Sequence, residues 1–142
     1  MKDSKLRLLA EDADDLAVIS AALQDAVTRI GDISWERRGQ RLTIAFSRFR
    51  WEAADHGGER VLAALQLGGV QSVRARNLRR EAKNAVLELL ALNFEAGEPP
   101  GGRVLFAFAD GGDLAVEVEC VDAALADLCS PWRAPHKPGH QT

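Results

Sequence analysis

The 142-residue sequence lacks most of the features that would assign a chain to a known enzyme class or to a membrane. It has no glycine-rich phosphate loop, no nucleophile elbow and no helix with paired metal ligands. Its longest apolar runs are interrupted by charged residues such as Glu88 and are too short to span a bilayer. The sequence therefore gives no positive evidence for catalysis, predicts no membrane insertion and implies no cofactor.

The sequence also has little cysteine and no export signal at its start. Acidic and basic residues mix within residues 1–9, and no small-residue cleavage site follows a long apolar stretch. We therefore expect a cytoplasmic protein. Cys120 and Cys129 should then be reduced thiols, because that compartment disfavours disulfides.

What is present is the composition of an ordinary soluble domain. Hydrophobic residues make up 46% of the chain and charged residues 27%, which argues against disorder of the whole chain. The length suits one domain with a substantial core. We predict a single globular domain at residues 1–132 and a flexible tail at residues 133–142, where prolines occur without an apolar period.

Charge is distributed unevenly along the chain, although the net charge is only −3. Residues 29–83 contain twelve Lys or Arg against six Asp or Glu, whereas residues 1–28 and residues 84–142 are both acidic. The acidic flanks suit a basic face on a neighbouring subunit. The pattern therefore predicts self-association or contact with another protein.

Glycine pairs and alternating apolar residues predict an antiparallel sheet. Gly-Gly pairs begin at residues 57, 68, 101 and 111, and paired glycines favour tight turns. The apolar segment 104–108 and the alternating segment 114–120 form a hairpin across one of these turns. Residues 86–94 fit a helix or a strand, and their polar end before the next turn favours a strand. Further strands are predicted at residues 32–36, 41–52, 60–67 and 70–77.

The strand at residues 41–52 changes parity along its length. Leu42, Ile44 and Phe46 lie on one face. Phe49 and Trp51 lie on the other. One extra residue near positions 47–48 would place all five on the same side. We therefore predict a β-bulge there, with Phe49 and Trp51 in the core.

Two helices complete the predicted fold. Asp12 or Asp14 is placed to cap the first helix. Its apolar stripe consists of Leu16, Ile19, Leu23 and Val27. A short second helix is predicted at about residues 122–128. The fold class is α+β, with an N-terminal strand and helix, an antiparallel meander of about seven strands and a short C-terminal helix. The sheet is strongly curled or closed into a barrel, and the element order matches a pleckstrin-homology-like barrel.

A basic, aromatic run at residues 48–51 gives the strongest hint of a ligand. Arginines interleaved with aromatic residues suit phosphate contact and base stacking. Residues 74 and 76 share a parity, so both project from one side of a later strand. The predicted anion-binding residues are Arg48, Arg50, Arg74 and Arg76. The alternative is that the aromatic residues are core and the arginines are solvated or paired with carboxylates. A pI near 5.6 also counts against a dedicated nucleic-acid binder.

Other candidate sites have ordinary structural explanations. The four possible zinc ligands late in the chain are Cys120, Cys129, His136 and His140. Eight residues separate the two cysteines, unlike the close pair of a structural zinc site. His56 has the setting of an exposed turn histidine, and Asp110 and Asp113 suit the turn that they flank. We therefore predict no catalytic residue and no metal site.

Three segments of the chain resemble a known family. They are LRLLAEDADDLAVISAALQDAV at residues 6–27, FSRFRWE at residues 46–52 and VEVECVDAALADLCSPW at residues 116–132. Together they look like a small alphaproteobacterial family known only as a domain of unknown function. The resemblance implies a bacterial cytoplasmic protein and gives a role to no residue.

Three functions remain open on this basis. The first is a non-catalytic binding or interaction module that self-associates, because the residues have a structural explanation and the charge is segregated. The second is an anion or nucleic-acid binder that works through the basic strand face. The third is an enzyme with an unfamiliar site, for which His56 is the candidate residue.

Overall fold

The computed structural model of the protein describes residues 5–50 and 59–128 and the backbone of residues 132 and 133. Within these residues the chain forms one α-helix, α1 (Ala13–Ala22), and two 3₁₀ turns, Ile30–Asp32 and Ala109–Gly111. The strands are β1 (Arg7–Ala10), β2 (Val27–Arg29), β3 (Ile33–Glu36), β4 (Arg41–Phe49), β5 (Glu59–Leu67), β6 (Val70–Arg76), β7 (Val86–Ala96), β8 (Gly102–Phe108), β9 (Asp113–Val118), β10 (Ala123–Asp127) and β11 (Trp132–Arg133). No helix in this part of the chain is long and apolar enough to cross a membrane.

The helix begins where the sequence predicts its cap. The Asp12 carboxylate accepts a hydrogen bond of 2.8 Å from the backbone N–H of Asp15. Asp14 and Asp15 also place negative charge in the first turn, which stabilises the positive end of the helix dipole. Leu16 and Ile19 are buried on the inner side of the helix, as the apolar stripe predicts.

The helix ends before the last residue of that stripe. Leu23 is fully buried as its C-cap, and Asp25 then adopts a φ of +64°. The Asp25 N–H donates to the carbonyl of Leu89, 2.9 Å away. This turn sends the chain into β2, so Val27 is a strand residue and its predicted place on the helix is wrong.

The strands pair antiparallel and form one sheet. Its order is β1-β10-β5-β4-β2-β7-β8-β9-β6, with β3 also paired to β4 and β11 to β5. We call β1, β10, β5, β4, β3 and β11 the first half, and β7, β8, β9 and β6 the second half. β2 joins the halves by pairing with both β4 and β7. β1 and β6 stand at the two ends of this order, so the sheet is not closed.

Both halves of the sheet contribute to one hydrophobic core. Phe46 and Leu65 of the first half share a cluster with Phe106 and Val116 of the second half and with Ile19 of α1. Each of these side chains is at most 1% exposed. One sheet shares a core between its halves only by curling over itself, so the curled alternative of the prediction agrees with the fold and the closed barrel does not.

Most predicted strands are present, with small shifts of their ends. The hairpin is formed by β8 and β9, in which Val104 lies opposite Val116. Residues 86–94 lie in β7, the alternative that the sequence favours. The strands predicted at residues 32–36, 41–52, 60–67 and 70–77 correspond to β3, β4, β5 and β6.

The predicted C-terminal helix at residues 122–128 is wrong, because this segment forms β10 between β1 and β5. Ala123, Leu125 and Asp127 are buried in alternation with more exposed residues, the period of a strand. Pairing on both edges outweighs the helix propensity of alanine. The pleckstrin-homology-like arrangement rested on that helix and is not confirmed. Of the segment after residue 128, β11 alone is described, and most of the predicted tail lies outside the described residues.

The predicted β-bulge near residues 47–48 is also wrong. The register of β4 against β5 is unbroken from Leu42 opposite Leu67 to Phe49 opposite Arg60. Arg48 therefore continues the inward parity of the apolar residues before it, and Phe49 faces outward. Register shifts occur instead in β6 and β7.

Candidate functional site

Arg48 lies inside the protein and contributes to no surface. It projects inward from β4 and binds Asp127 of β10, and both side chains are 0% exposed. Two hydrogen bonds of 3.0 Å join them, Nε to Oδ1 and Nη2 to Oδ2. Asp127 Oδ2 also accepts from the backbone N–H of Leu6, and Arg48 Nη1 donates to the carbonyl of Phe49. This buried, hydrogen-bonded ion pair ties β4 and β10 to the segment before β1, which makes Arg48 a structural residue.

Arg50 and its neighbours are held against the first half. Arg50 Nη1 lies 2.5 Å from Glu59 Oε1, and the arginine side chain is only 13% exposed. The Arg60 guanidinium lies 4.1 Å from the centroid of the Phe49 ring and donates to Ser47 Oγ. Burial lowers the pKa of Arg60. The predicted core position of Phe49 is wrong, because an arginine covers its ring on the outer face.

Arg74 and Arg76 lie in β6 of the second half of the sheet, whereas Arg48 and Arg50 lie on the first half. Both project into a groove of about 480 Å³ on the outer face of the second half, which we call the outer groove. Ala115 and Leu105 occupy the ladder positions beside Arg74. Ala107 and Ala115 have short side chains, so the sheet forms a low floor between longer residues. The four predicted arginines therefore do not form one face, and two of them meet at this groove.

A third arginine reaches the outer groove from β8. Arg103 Nε lies 2.8 Å from Glu117 Oε2, and Arg76 Nη2 lies 2.8 Å from Asp113 Oδ2. The side-chain hydrogen bond that Arg103 donates to Glu117 raises the pKa of Arg103, and the one that Arg76 donates to Asp113 raises the pKa of Arg76. Both guanidinium groups therefore stay charged and are oriented by their carboxylates.

Arg74 differs from these two arginines. It is exposed and makes no ion pair with any residue in the described part of the chain. Its planar guanidinium offers donors that match the oxygens of a carboxylate or a phosphate. Of the three arginines at the outer groove, Arg74 is thus the one that can bind an anionic ligand without breaking an existing ion pair.

An apolar pocket lies on the inner side of β6, between β3 and β6. These two strands do not pair with each other, and residues from both line the pocket between them. We call it the seam pocket, and its volume is about 210 Å³. It is lined by Ile30, Ile33, Trp35, Val73, Ala75, Leu78, Leu114, Arg80 and Lys83. Its wall is therefore apolar apart from two exposed cations.

The strand β6 separates the outer groove from the seam pocket. Arg74 and Arg76 are exposed on one face, whereas Val73 and Ala75 are half-buried on the other. This alternation follows the period of two of a strand. β6 is the last strand in the sheet order, so within the described residues its second edge has no strand partner.

The model of a family described as "Protein of unknown function (DUF2948)" matches residues 6–140. The chain belongs to this family. The resemblance seen in three sequence segments is thereby confirmed. No curated protein and no solved structure matches the chain. Because the description of DUF2948 gives no activity, function must be inferred from the surfaces of the fold.

The remaining candidate sites of this DUF2948 chain fall largely outside the described residues. Those outside are Trp51, His56, Cys129, His136 and His140. Among the residues that are described, no group of three or more His, Cys, Asp or Glu is placed to hold a metal ion. Asp113 binds Arg76, and Asp110 lies in a 3₁₀ turn with a φ of +72°.

Sequence reasoning missed Arg103 and the seam pocket of the DUF2948 fold. Arg103 lies in the acidic C-terminal part of the sequence, so the charge count along the chain drew attention away from it. A signal was present in the predicted hairpin, since Arg103 pairs opposite Glu117. The seam pocket had no such signal, because Trp35 and Leu78 come from segments that meet only in the folded protein.

Proposed function

We propose that this protein is a non-catalytic binding module that takes an anionic group in the outer groove. The observation that carries the proposal is the presence of Arg74, Arg76 and Arg103 around a groove of about 480 Å³. That volume is within the range of small-molecule sites, about 300–1,000 Å³. Three arginine side chains over an apolar floor, two of them held by carboxylates, suit an anion with an apolar body.

The groove favours a compact anion over a nucleic acid. Phe106 touches the groove but is fully buried, so it offers no surface on which a base can stack. Asp113 and Glu117 would also repel a long run of phosphates. A carboxylate or a single phosphate can instead bind Arg74, which has Ala115 rather than a carboxylate opposite it on β9.

The arrangement supports binding better than catalysis. Asp113 and Glu117 are the carboxylates of the groove, and each is hydrogen-bonded to an arginine. A carboxylate acts as a general base only if it can reach a proton of the substrate. Here each carboxylate is engaged by the guanidinium group of an arginine instead. We therefore assign these two residues to holding Arg76 and Arg103 in place.

The proposal is tested by titrating the isotope-labelled protein with inorganic phosphate and, separately, with succinate, followed by NMR. We expect amide shifts confined to β6, β8 and β9, and an affinity at least about tenfold weaker in Arg74→Ala, since a hydrogen bond to a charged group contributes about 1.5–3 kcal/mol. Arg7→Ala is the matched control, because Arg7 is exposed on β1 at the other end of the sheet order. Equal affinity in Arg74→Ala and Arg7→Ala would show that the groove is not the site.

Self-association, the second candidate, is favoured by a different surface. Three neighbouring strands present uncharged side chains on the outer face of the first half. These outward positions run from Thr43 to Ser47 in β4, from Leu62 to Gln66 in β5, and from Ala124 in β10 to Leu128 just after it. Leu62 is 38% exposed and Leu128 is 52% exposed. A sheet face of small and apolar residues suits packing against a second sheet at a distance of about 10 Å. This face, a cytoplasmic location and the single-domain boundary at residue 132 stay predictions.

A further inference from the structure

We propose that the anionic ligand is an extended peptide of another protein that adds as a strand to the free edge of β6, with alternate apolar side chains toward the seam pocket and acidic side chains toward the outer groove. This inference rests on the proposed anion site and names the ligand class for it. The added peptide would contact both faces of β6, whereas a small anion would contact only the face that carries Arg74 and Arg76.

The edge of β6 is long enough to pair with a peptide. The N–H of Val70 already donates to the carbonyl of Gln40, 2.8 Å away, and the register against β9 shifts between Val70 and Ser72. The regular part of β6 then runs from Ser72 to Arg76, and within the described residues only β9 pairs with it as a strand. An edge strand presents backbone N–H and C=O groups that a further strand can bind. Recognition of peptides by strand addition uses these backbone groups for affinity and pockets at alternate side chains for specificity.

The two faces of β6 differ in chemistry in a way that such a peptide can satisfy. Side chains of an added strand alternate between the faces of the sheet. Those of one parity would lie beside Val73 and Ala75, over the apolar seam pocket. Those of the other parity would lie beside Arg74 and Arg76, in the outer groove. The peptide that fits therefore alternates apolar and acidic residues.

The present partner of β6 already shows this complement. Ala75 lies opposite Leu114 of β9 on the inner face, where Leu114 is buried. Arg76 lies opposite Asp113 and binds it through hydrogen bonds of 2.8 and 3.2 Å. An acidic residue of the peptide would meet Arg74 on the free edge in the same way, since Arg74 has Ala115 opposite it on the β9 side.

A second copy of the chain is a poorer occupant of this edge. Pairing β6 with β6 of another molecule would bring Arg74 and Arg76 against the same arginines, and like charges on facing strands are destabilising. The other end of the sheet, β1, carries Arg7 and no acidic residue. Charge complementarity therefore selects an acidic partner.

The size of the seam pocket favours side chains over a separate small ligand. Its volume of about 210 Å³ is below the range of about 300–1,000 Å³ in which small molecules are usually bound. Trp35 and Leu78 form part of its apolar wall, and Arg80 and Lys83 add exposed positive charge beside it. The apolar side chains of an acidic peptide match this combination.

The test uses a fluorescent synthetic peptide of sequence Val-Glu-Leu-Asp-Val-Glu-Leu-Asp, with binding followed by anisotropy and amide exchange. We expect binding that slows exchange of β6 amides, and an affinity about tenfold weaker in Arg74→Ala. Arg7→Ala should bind like the wild type. A peptide of the same composition with its apolar residues grouped together should bind much more weakly, because it cannot present alternate faces.

Backbone methylation gives the sharpest outcome. In a strand the N–H groups of alternate residues point to the same edge. Methylating the amides of the apolar residues, or those of the acidic residues, should therefore abolish binding in one peptide and leave it intact in the other. If both methylated peptides bind like the parent, strand addition is wrong.

Variants that keep the fold distinguish the remaining outcomes. Arg74→Glu changes an exposed residue, and this variant should prefer a peptide with Lys in place of its acidic residues. Leu78→Ala should weaken binding of the peptide, because Leu78 lines the seam pocket. It should leave the affinity for phosphate unchanged. If phosphate binds at Arg74 and no peptide does, the inference is overturned and the proposed function stands. If neither binds there, both are overturned.

Discussion

Replacing Arg48 with methionine should destabilise the protein severely, because it leaves Asp127 as a buried carboxylate without its cation. Both side chains are 0% exposed, and two hydrogen bonds of 3.0 Å join them. Removing one partner of such a pair costs about 3–5 kcal/mol, a large part of a typical total stability of about 5–15 kcal/mol. Unfolding in urea, followed by circular dichroism, measures the loss directly.

The control for this experiment removes a second arginine that also binds an aspartate but lies at the surface. Arg76→Met removes an arginine that binds a carboxylate at 2.8 Å but is 77% exposed. We expect its unfolding curve to be nearly that of the wild type, since exposed ion pairs contribute little to stability. The double variant Arg48→Met with Asp127→Leu should be less destabilised than Arg48→Met alone, because no buried charge is left. If Arg48→Met is as mild as Arg76→Met, the buried pair does not tie β4 to β10 as argued.

Two further predictions concern the second half and the apolar face. Gly102→Ala should lower the free energy of unfolding by about 1–3 kcal/mol, because the added Cβ would collide with the Glu95 carbonyl. Gly97→Ala should have a small effect, since the nearest atom to its Cβ is 3.4 Å away. Thermal unfolding compares the two variants, and equal melting temperatures would contradict the close packing at Gly102. The double variant Leu62→Glu and Leu128→Glu should be monomeric by light scattering at concentrations where the wild type self-associates, and unchanged association would exclude that face.

Elements set by local signals were predicted well from the sequence. The cap at Asp12 and the acidic first turn act within one turn of helix, so α1 could be placed without knowledge of the fold. The hairpin of β8 and β9 combines alternation with a turn-forming glycine pair, and both signals are local. These elements needed no information about distant residues.

Elements set by distant partners were predicted poorly. Residues 123–127 are rich in alanine and follow an acidic residue, a pattern typical of a helix start, yet β1 and β5 pair with both edges of this segment. The bulge was predicted so that Phe49 and Trp51 would join the apolar face of the strand. The strand is regular instead, and the partner that binds Arg48 in its inward position, Asp127, is 79 residues away in the chain.

The candidate site follows the same division. The shared parity of Arg74 and Arg76 is a local property, and it was predicted correctly. Their meeting with Arg103 depends on the order β8-β9-β6, and the seam pocket depends on the curl that brings β3 near β6. Neither feature can be derived from spacing along the chain.

The most direct test of the central claim is the NMR signal of the Arg74 side-chain Nε–H group during a titration with inorganic phosphate. The signal is assigned as the one missing from the spectrum of Arg74→Ala. The account predicts that it shifts in step with the amides of β6 and β9, and that the corresponding signal of Arg7 does not move. An unmoved Arg74 signal, with shifts elsewhere or none at all, would contradict the proposal that this groove binds anions.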